Sequence, residues 1–130
     1  MGSTILVVDA EPVVRTVVTS ILEREGHTVH ATADVGEAVR IVKTKSPDLL
    51  LTNVLLPGMR GHDAAELLRG IRPEMRVLMV AGLPDDQEIY DMTEGDGIEP
   101  FPKPFTAQEL AAKVREVLGR SPQQARTIGQ

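Results

Sequence analysis

The sequence predicts an α/β domain in which helices cover both faces of an open parallel sheet. Short, continuously apolar runs recur along the chain, which is typical of strands whose two faces are both buried. Segments with apolar residues at helical spacing lie between these runs. A length of 130 residues suits a single domain. The regular alternation of the two patterns favours a parallel sheet joined by helical crossovers.

The strand predictions depend on apolar runs bounded by turn residues. The clearest runs cover residues 5–8, 49–51 and 77–80. We expect strands at residues 4–9, 28–32, 48–53, 76–81 and 98–102. The last of these contains Pro100 and Pro102. Because proline has no N–H to donate to a neighbouring strand, we expect this strand at an edge of the sheet.

The helix predictions depend on one-sided apolar faces and on capping residues. The predicted faces consist of Val14, Val17, Val18, Ile21 and Leu22, then Val35, Ala38, Val39 and Val42, and finally Leu110, Val114, Val117 and Leu118. Pro12 suits the first position of a helix. Asp34 with Glu37, and Thr106 with Glu109, have the spacing of a capping box. We expect helices at residues 12–25, 35–45, 63–70, 85–94 and 106–118.

Composition excludes several classes of protein. The net charge of −5 gives no basic footprint for nucleic acid. The absence of cysteine excludes disulfide scaffolds and thiolate metal sites. No apolar run approaches a membrane span or a signal peptide, so the expected location is the cytoplasm. We predict one domain at residues 4–119 and a polar, disordered tail or linker at residues 120–130.

Polar side chains follow several of the predicted strands at their carboxyl ends. Asp9 and Glu11 follow the first strand, Asn53 ends the third, and Lys103 follows the fifth. Open α/β sheets bind ligands at this edge. A carboxylate, an amide and an ammonium group are therefore expected to share one crevice.

Three motifs in the same order resemble the receiver domain of response regulators. They are residues 5–12 (ILVVDAEP), 47–61 (PDLLLTNVLLPGMRG) and 103–105 (KPF), and the resemblance extends over residues 4–119. It implies a flavodoxin-like fold with a five-stranded parallel sheet in the order 2-1-3-4-5. In that family, a histidine kinase donates a phosphoryl group to an Asp that ends the third strand. Acidic residues after the first strand hold Mg²⁺, while a Ser or Thr and a Lys contact the phosphoryl oxygens.

The sequence departs from this family at four positions. Asn53 stands where the family has its phosphoacceptor Asp, and an amide nitrogen is a poor nucleophile because its lone pair is delocalised. Ala10 replaces the second residue of the acidic pair, and Ala81 replaces the Ser or Thr that contacts the phosphoryl group. Pro100 occupies the position of a switching aromatic residue.

The remaining polar residues of the family's site are Asp9, Glu11 and Lys103. We expect Lys103 to pair with Asp9 or to bond to the Asn53 carbonyl oxygen. The family commonly has a cis bond between the residues that correspond to Lys103 and Pro104. Mg²⁺ prefers several anionic oxygens, so we expect no cofactor, and no metal or weak Mg²⁺ binding at Asp9.

The expected function is that of a pseudo-receiver in two-component signalling, which acts by protein–protein interaction and has no enzymatic activity. The expected partner is a protein, such as a histidine kinase or another regulator, and family analogy places its contact on the face formed by residues 85–118. We expect a monomer or a weak homodimer. Two alternatives stay open: an active receiver whose acceptor was blocked by engineering, and a flavodoxin-like domain that binds a small ligand.

Overall fold

The computed structural model shows a parallel sheet between two layers of helices. It describes residues 2–53, 55–56, 59–81, 98–102 and 106–119. The strands are β1 (Thr4–Val8), β2 (Thr28–Thr32), β3 (Leu49–Asn53), β4 (Leu55–Leu56), β5 (Met59–Arg60), β6 (Arg76–Ala81) and β7 (Ile98–Pro102). The helices are α1 (Pro12–Arg24), α2 (Val35–Lys45), α3 (Gly61–Ile71) and α4 (Ala107–Leu118). The helix predicted at 85–94 and the tail predicted at 120–130 lie outside these residues.

The main sheet has the order β2-β1-β3-β6-β7, with every neighbouring pair parallel. The fold class predicted from the sequence is therefore confirmed. The sheet places β7 at one edge, beside β6, as its prolines predicted. Pro100 and Pro102 are two residues apart, so their missing N–H groups fall on the same side of the strand. The other side can then pair with β6.

The core consists of two apolar clusters, one on each face of the sheet. The first joins the sheet to α2 and α3 through Leu6, Val8, Ala38, Ile41, Val42, Leu50, Ala64, Ala65, Leu68, Met75, Val77 and Met79. The second joins it to α1 and α4 through Ile5, Val7, Val18, Leu22, Leu49, Leu51, Leu78, Leu110, Val114 and Val117. None of the described helices is both long and apolar enough to cross a membrane.

The prediction that Val17 belongs to the buried face of α1 is wrong, because this side chain is 49% exposed. The buried face of α1 is centred on Val18 and Leu22, while Val14 and Ile21 are partly buried at its side. Adjacent residues lie about 100° apart around a helix, so Val17 falls at the margin of a face centred on Val18.

Helix capping follows the predicted residues with one difference. Pro12 is the first residue of α1. The predicted capping box of α4 is present: the Thr106 hydroxyl accepts the Glu109 N–H at 3.0 Å, and the Glu109 carboxylate accepts the Thr106 N–H at 2.8 Å. At α2, the Asp34 carboxylate instead accepts the N–H of Gly36 at 3.0 Å. Asp34 therefore caps α2 through the second helical residue and not through the third.

A glycine turn after α1 fixes the start of β1 against β2. Gly26 has a φ of +91°, and its N–H donates to the Glu23 carbonyl at 3.0 Å, while the His27 N–H donates to the Leu22 carbonyl at 3.2 Å. These two bonds form a Schellman motif, which favours glycine at the left-handed position. The Ser3 N–H then donates to Nδ1 of His27 at 3.1 Å. The imidazole thus joins the helix end to the first strand.

The stability of the protein is expected to fall as His27 becomes protonated. Burial lowers the pKa of His27 from its ordinary value of 6.5, with Arg115 also lowering it and Glu25 opposing the shift. The unfolded chain therefore takes up the proton first, and the stabilisation is complete above about pH 6.5 and is lost as the pH falls toward the folded-state pKa. Protonation also places a hydrogen on Nδ1 of His27, so this atom can no longer accept the hydrogen bond from the Ser3 N–H.

Urea unfolding at pH 7.5 and pH 5.5 measures this effect. We expect the free energy of unfolding to fall more between pH 7.5 and pH 5.5 in the wild type than in His27→Asn. The side-chain amide of the introduced asparagine accepts a hydrogen bond through its oxygen and does not titrate. His30→Asn, on β2, is the control and should retain the pH dependence of the wild type. The same pH dependence in the wild type and in His27→Asn would contradict the assignment.

Candidate functional site

The carboxyl ends of four strands meet at one edge of the sheet. Val8 pairs with Thr52, so Asp9 and Asn53 each follow a residue of this pair. Asn53 is in register with Val80 of β6. Farther along the sheet, Ala81 is in register with Pro102 of β7. The topology therefore brings the predicted site positions of β1, β3 and β6 to one edge.

The structure describes the other predicted site positions to different degrees. Pro100 lies in the middle of β7, in register with Met79 of β6. Lys103 and Pro104 lie outside the described residues, and so does the predicted contact of Lys103 with Asp9 or Asn53. Those two contacts stay predictions.

Asp9 is the buried carboxylate of the site, with 1% of its surface exposed. Its N–H donates to the Thr32 carbonyl at 3.0 Å, which continues the pairing of β1 with β2 by one residue. Its Oδ1 accepts the Glu11 N–H at 2.9 Å. Its main-chain carbonyl accepts Nη1 of Arg15 at 2.6 Å. Backbone and side chain of Asp9 are therefore both held by the surrounding chain.

Glu11 and Ala10 have different surroundings from Asp9. Glu11 is exposed and occupies the N-cap position of α1, where its side chain makes no capping bond. Ala10 is partly buried. The two carboxylates predicted at the site, Asp9 and Glu11, therefore differ in burial: Asp9 is enclosed by the fold, and Glu11 is exposed.

Sequence reasoning missed Arg15, which the structure brings to the site. Arg15 lies in the first turns of α1, and the hydrogen bond of its guanidinium to Asp9 spans six residues of the sequence. A charged residue on a helix is ordinarily read as part of a solvated face. The spacing alone gives no sign of this contact, because it depends on the angle at which α1 leaves β1.

The donor set at this edge matches a Mg²⁺ ion poorly. This ion prefers an octahedral shell of oxygens with more than one carboxylate. Ala10 contributes no side-chain oxygen, Asn53 is uncharged, and Oδ1 of Asp9 already accepts a backbone N–H. Over the described part of the chain, no group of three His, Asp or Glu side chains is arranged to hold a metal ion.

Residues 5–115 match the family model of the response regulator receiver domain. The chain is 32% identical over 117 residues to the DNA-binding transcriptional regulator NtrC of Azospirillum brasilense, covering 90% of this chain and 24% of that protein. It is 32% identical over 119 residues to the probable transcriptional regulatory protein TcrX of Mycobacterium tuberculosis, covering 91% of this chain and 50% of that protein. The chain thus spans about a quarter of the length of the first relative and half of the length of the second.

Solved structures give the same assignment of the fold. A CheY-like response regulator receiver domain protein from Methanospirillum hungatei has a TM-score of 0.82 at 27% identity, covering 99% of this chain and 100% of that one. NtrX from Brucella abortus, in complex with ADP, has a TM-score of 0.84 at 26% identity, covering 97% of this chain and 28% of that one. The first of these likenesses extends over nearly the full length of this chain and the full length of the other.

Proposed function

Because the chain belongs to the response regulator receiver domain family of two-component signalling, we propose that it is a pseudo-receiver. Such a domain passes a signal by docking to a partner protein and accepts no phosphoryl group. The observation that carries the proposal is Asn53 at the last position of β3. The receiver motif has its phosphoacceptor Asp at this position.

The chemistry of the site supports this proposal at three strand ends. Phosphoryl transfer to a receiver needs a carboxylate oxygen as the nucleophile, and the amide of Asn53 does not provide one. Ala10 removes a carboxylate that would hold a divalent cation. Ala81 removes the hydroxyl that would contact a phosphoryl oxygen. The proposal therefore includes neither a bound Mg²⁺ nor an enzymatic activity.

The proposed partner is a protein, either a histidine kinase or another regulator. The face formed by residues 85–118 is the proposed contact surface, and β7 and α4 are the parts of it that the structure describes. The outward side of α4 carries exposed polar residues, among them Gln108, Arg115 and Glu116. The net charge of −5 favours a partner with a basic patch.

Intact mass after incubation with Mg²⁺ and a small phosphodonor tests the proposal. We expect no change in mass, because the site lacks a nucleophilic oxygen. A stoichiometric gain of about 80 Da at an acid-labile linkage, the mass of one phosphoryl group, would contradict the proposal. The positive control is the variant in which all three groups are restored, Ala10→Asp with Asn53→Asp and Ala81→Thr. A small molecule retained after native purification would favour the alternative of a ligand-binding domain.

A further inference from the structure

Strand β2 is an edge of the sheet whose outer side is unprotected. Among the described residues, β1 pairs with one side of β2 and no strand pairs with the other. The opposite edge strand, β7, contains Pro100 and Pro102, whose missing N–H groups disfavour pairing with a further strand. The sequence of β2 is TVHAT, which has neither a proline nor a lysine. Because natural proteins usually protect their sheet edges with such residues, the outer side of β2 is a candidate pairing surface.

Two residues of β2 direct their backbone groups away from the sheet. The Thr28 N–H donates at 2.9 Å to the carbonyl that precedes β1, and the Thr32 carbonyl accepts at 3.0 Å the N–H that follows β1. Alternate residues of a strand point their N–H and C=O groups to opposite sides, so Thr28, His30 and Thr32 bond to β1. Val29 and Ala31 therefore present their N–H and C=O groups on the outer side.

We propose that β2 pairs with β2 of a second copy of the chain, antiparallel to it, about a twofold axis at His30. In this register, Val29 of each copy lies opposite Ala31 of the other. The two residues of such a pair exchange both hydrogen bonds, so all the outward backbone groups of Val29 and Ala31 are used. The two five-stranded sheets join into one, and the contact is closed because both copies use the same edge. This inference does not rest on the proposed function, which concerns the carboxyl ends of the strands.

The surface beside β2 is complementary in charge to a second copy of itself. A groove of about 430 Å³ lies between β2 and α1, and Arg15, Glu23 and Ala31 are among the residues that line it. Arg15 lies in the first turns of α1, near the carboxyl end of β1, and Glu23 lies in the last turn. A twofold axis at His30 therefore brings Glu23 of each copy toward Arg15 of the other. Because opposite charges then face each other, a second copy fits this edge better than a partner of one strong charge.

Sedimentation velocity over a range of protein concentrations measures the assembly. The edge is five residues long, so the interface is small, and we expect a dissociation constant on the order of 100 µM. Ala31→Lys should weaken dimerisation at least about tenfold, because it places a charge on the edge of each β2. Gln108→Lys makes the same change of net charge at an exposed position of α4 and should dimerise as the wild type. Ala31→Pro removes an outward N–H without removing a bond to β1, and it should also weaken the dimer.

Hydrogen exchange of the wild type identifies the surface that pairs and needs no variant. The Val29 and Ala31 amides should exchange rapidly in dilute protein, at about 10 µM, and become protected at about 1 mM. The His30 amide, which bonds to β1, is the internal reference and should be protected at both concentrations.

Three results would overturn the proposal. The first is a wild-type protein that stays monomeric at about 1 mM, ten times the expected dissociation constant. The second is a dimer in which the Val29 and Ala31 amides stay unprotected, or one that Ala31→Lys leaves unchanged, because such a dimer forms through another surface. The third is protection of these two amides at every concentration, which would show that a segment of the same chain covers the edge. None of these results bears on phosphoryl transfer, so the pseudo-receiver proposal is tested separately.

Discussion

The triple variant Ala10→Asp, Asn53→Asp and Ala81→Thr is expected to accept a phosphoryl group, whereas Asn53→Asp alone is expected to restore little. Each change returns a different part of the chemistry: a carboxylate for the divalent cation, the nucleophilic oxygen, and a hydroxyl for a phosphoryl oxygen. Removal of one group that stabilises a developing charge commonly costs about 100-fold or more in rate. We therefore expect the triple variant to react at least about 100-fold faster than the single one.

Intact mass over time, with Mg²⁺ and a small phosphodonor, measures these rates. The matched control is Ala10→Asp with Ala81→Thr, which keeps Asn53 and should remain unmodified. Circular dichroism should first show that the variants are folded, because a second carboxylate beside the buried Asp9 adds repulsion in the absence of a cation. Full reactivity from Asn53→Asp alone would indicate an otherwise intact receiver and would favour the alternative of a blocked acceptor.

The sequence was sufficient to predict the elements that carry strong local signals. The bounds of β2, α2, β6 and β7 agree with the prediction at every residue. Continuous apolar runs mark the buried strands, and Asp34 and Thr106 mark two helix starts because their side chains accept backbone N–H groups. The strands β4 and β5 were missed, since two residues are too few to show a period.

What the sequence did not reveal depends on packing between elements. Helical spacing predicted Val17 on the apolar face of α1, but the angle at which α1 packs on the sheet leaves this side chain half exposed. The contact of Arg15 with the carbonyl of Asp9 depends on that same packing. The position of Asn53 at a strand end follows from the length of β3. That this position is the one where the family has its phosphoacceptor Asp follows only from the receiver motif.

Leu68→Ala is expected to destabilise the protein by about 2–5 kcal/mol, which is the usual cost of removing a fully buried leucine side chain. Leu68 lies on α3, is fully buried, and belongs to the cluster that joins α3 to α2 and the sheet. Its loss removes apolar contacts and leaves a cavity that rigid strands on one side cannot close. This cost is a large part of the stability of an ordinary small domain.

The neighbouring Leu67 provides a matched control, because it has the same side chain in the same helix but is 46% exposed. Leu67→Ala should change stability by no more than about 0.5 kcal/mol, since a partly exposed leucine forms few enclosed contacts and alanine favours the helix. Urea unfolding of both variants under identical conditions measures the difference. Adjacent residues of a helix are rotated by about 100° around its axis, so only one of these two leucines can face the sheet. Equal losses of stability for the two variants would therefore contradict the packing of α3 on the sheet described above.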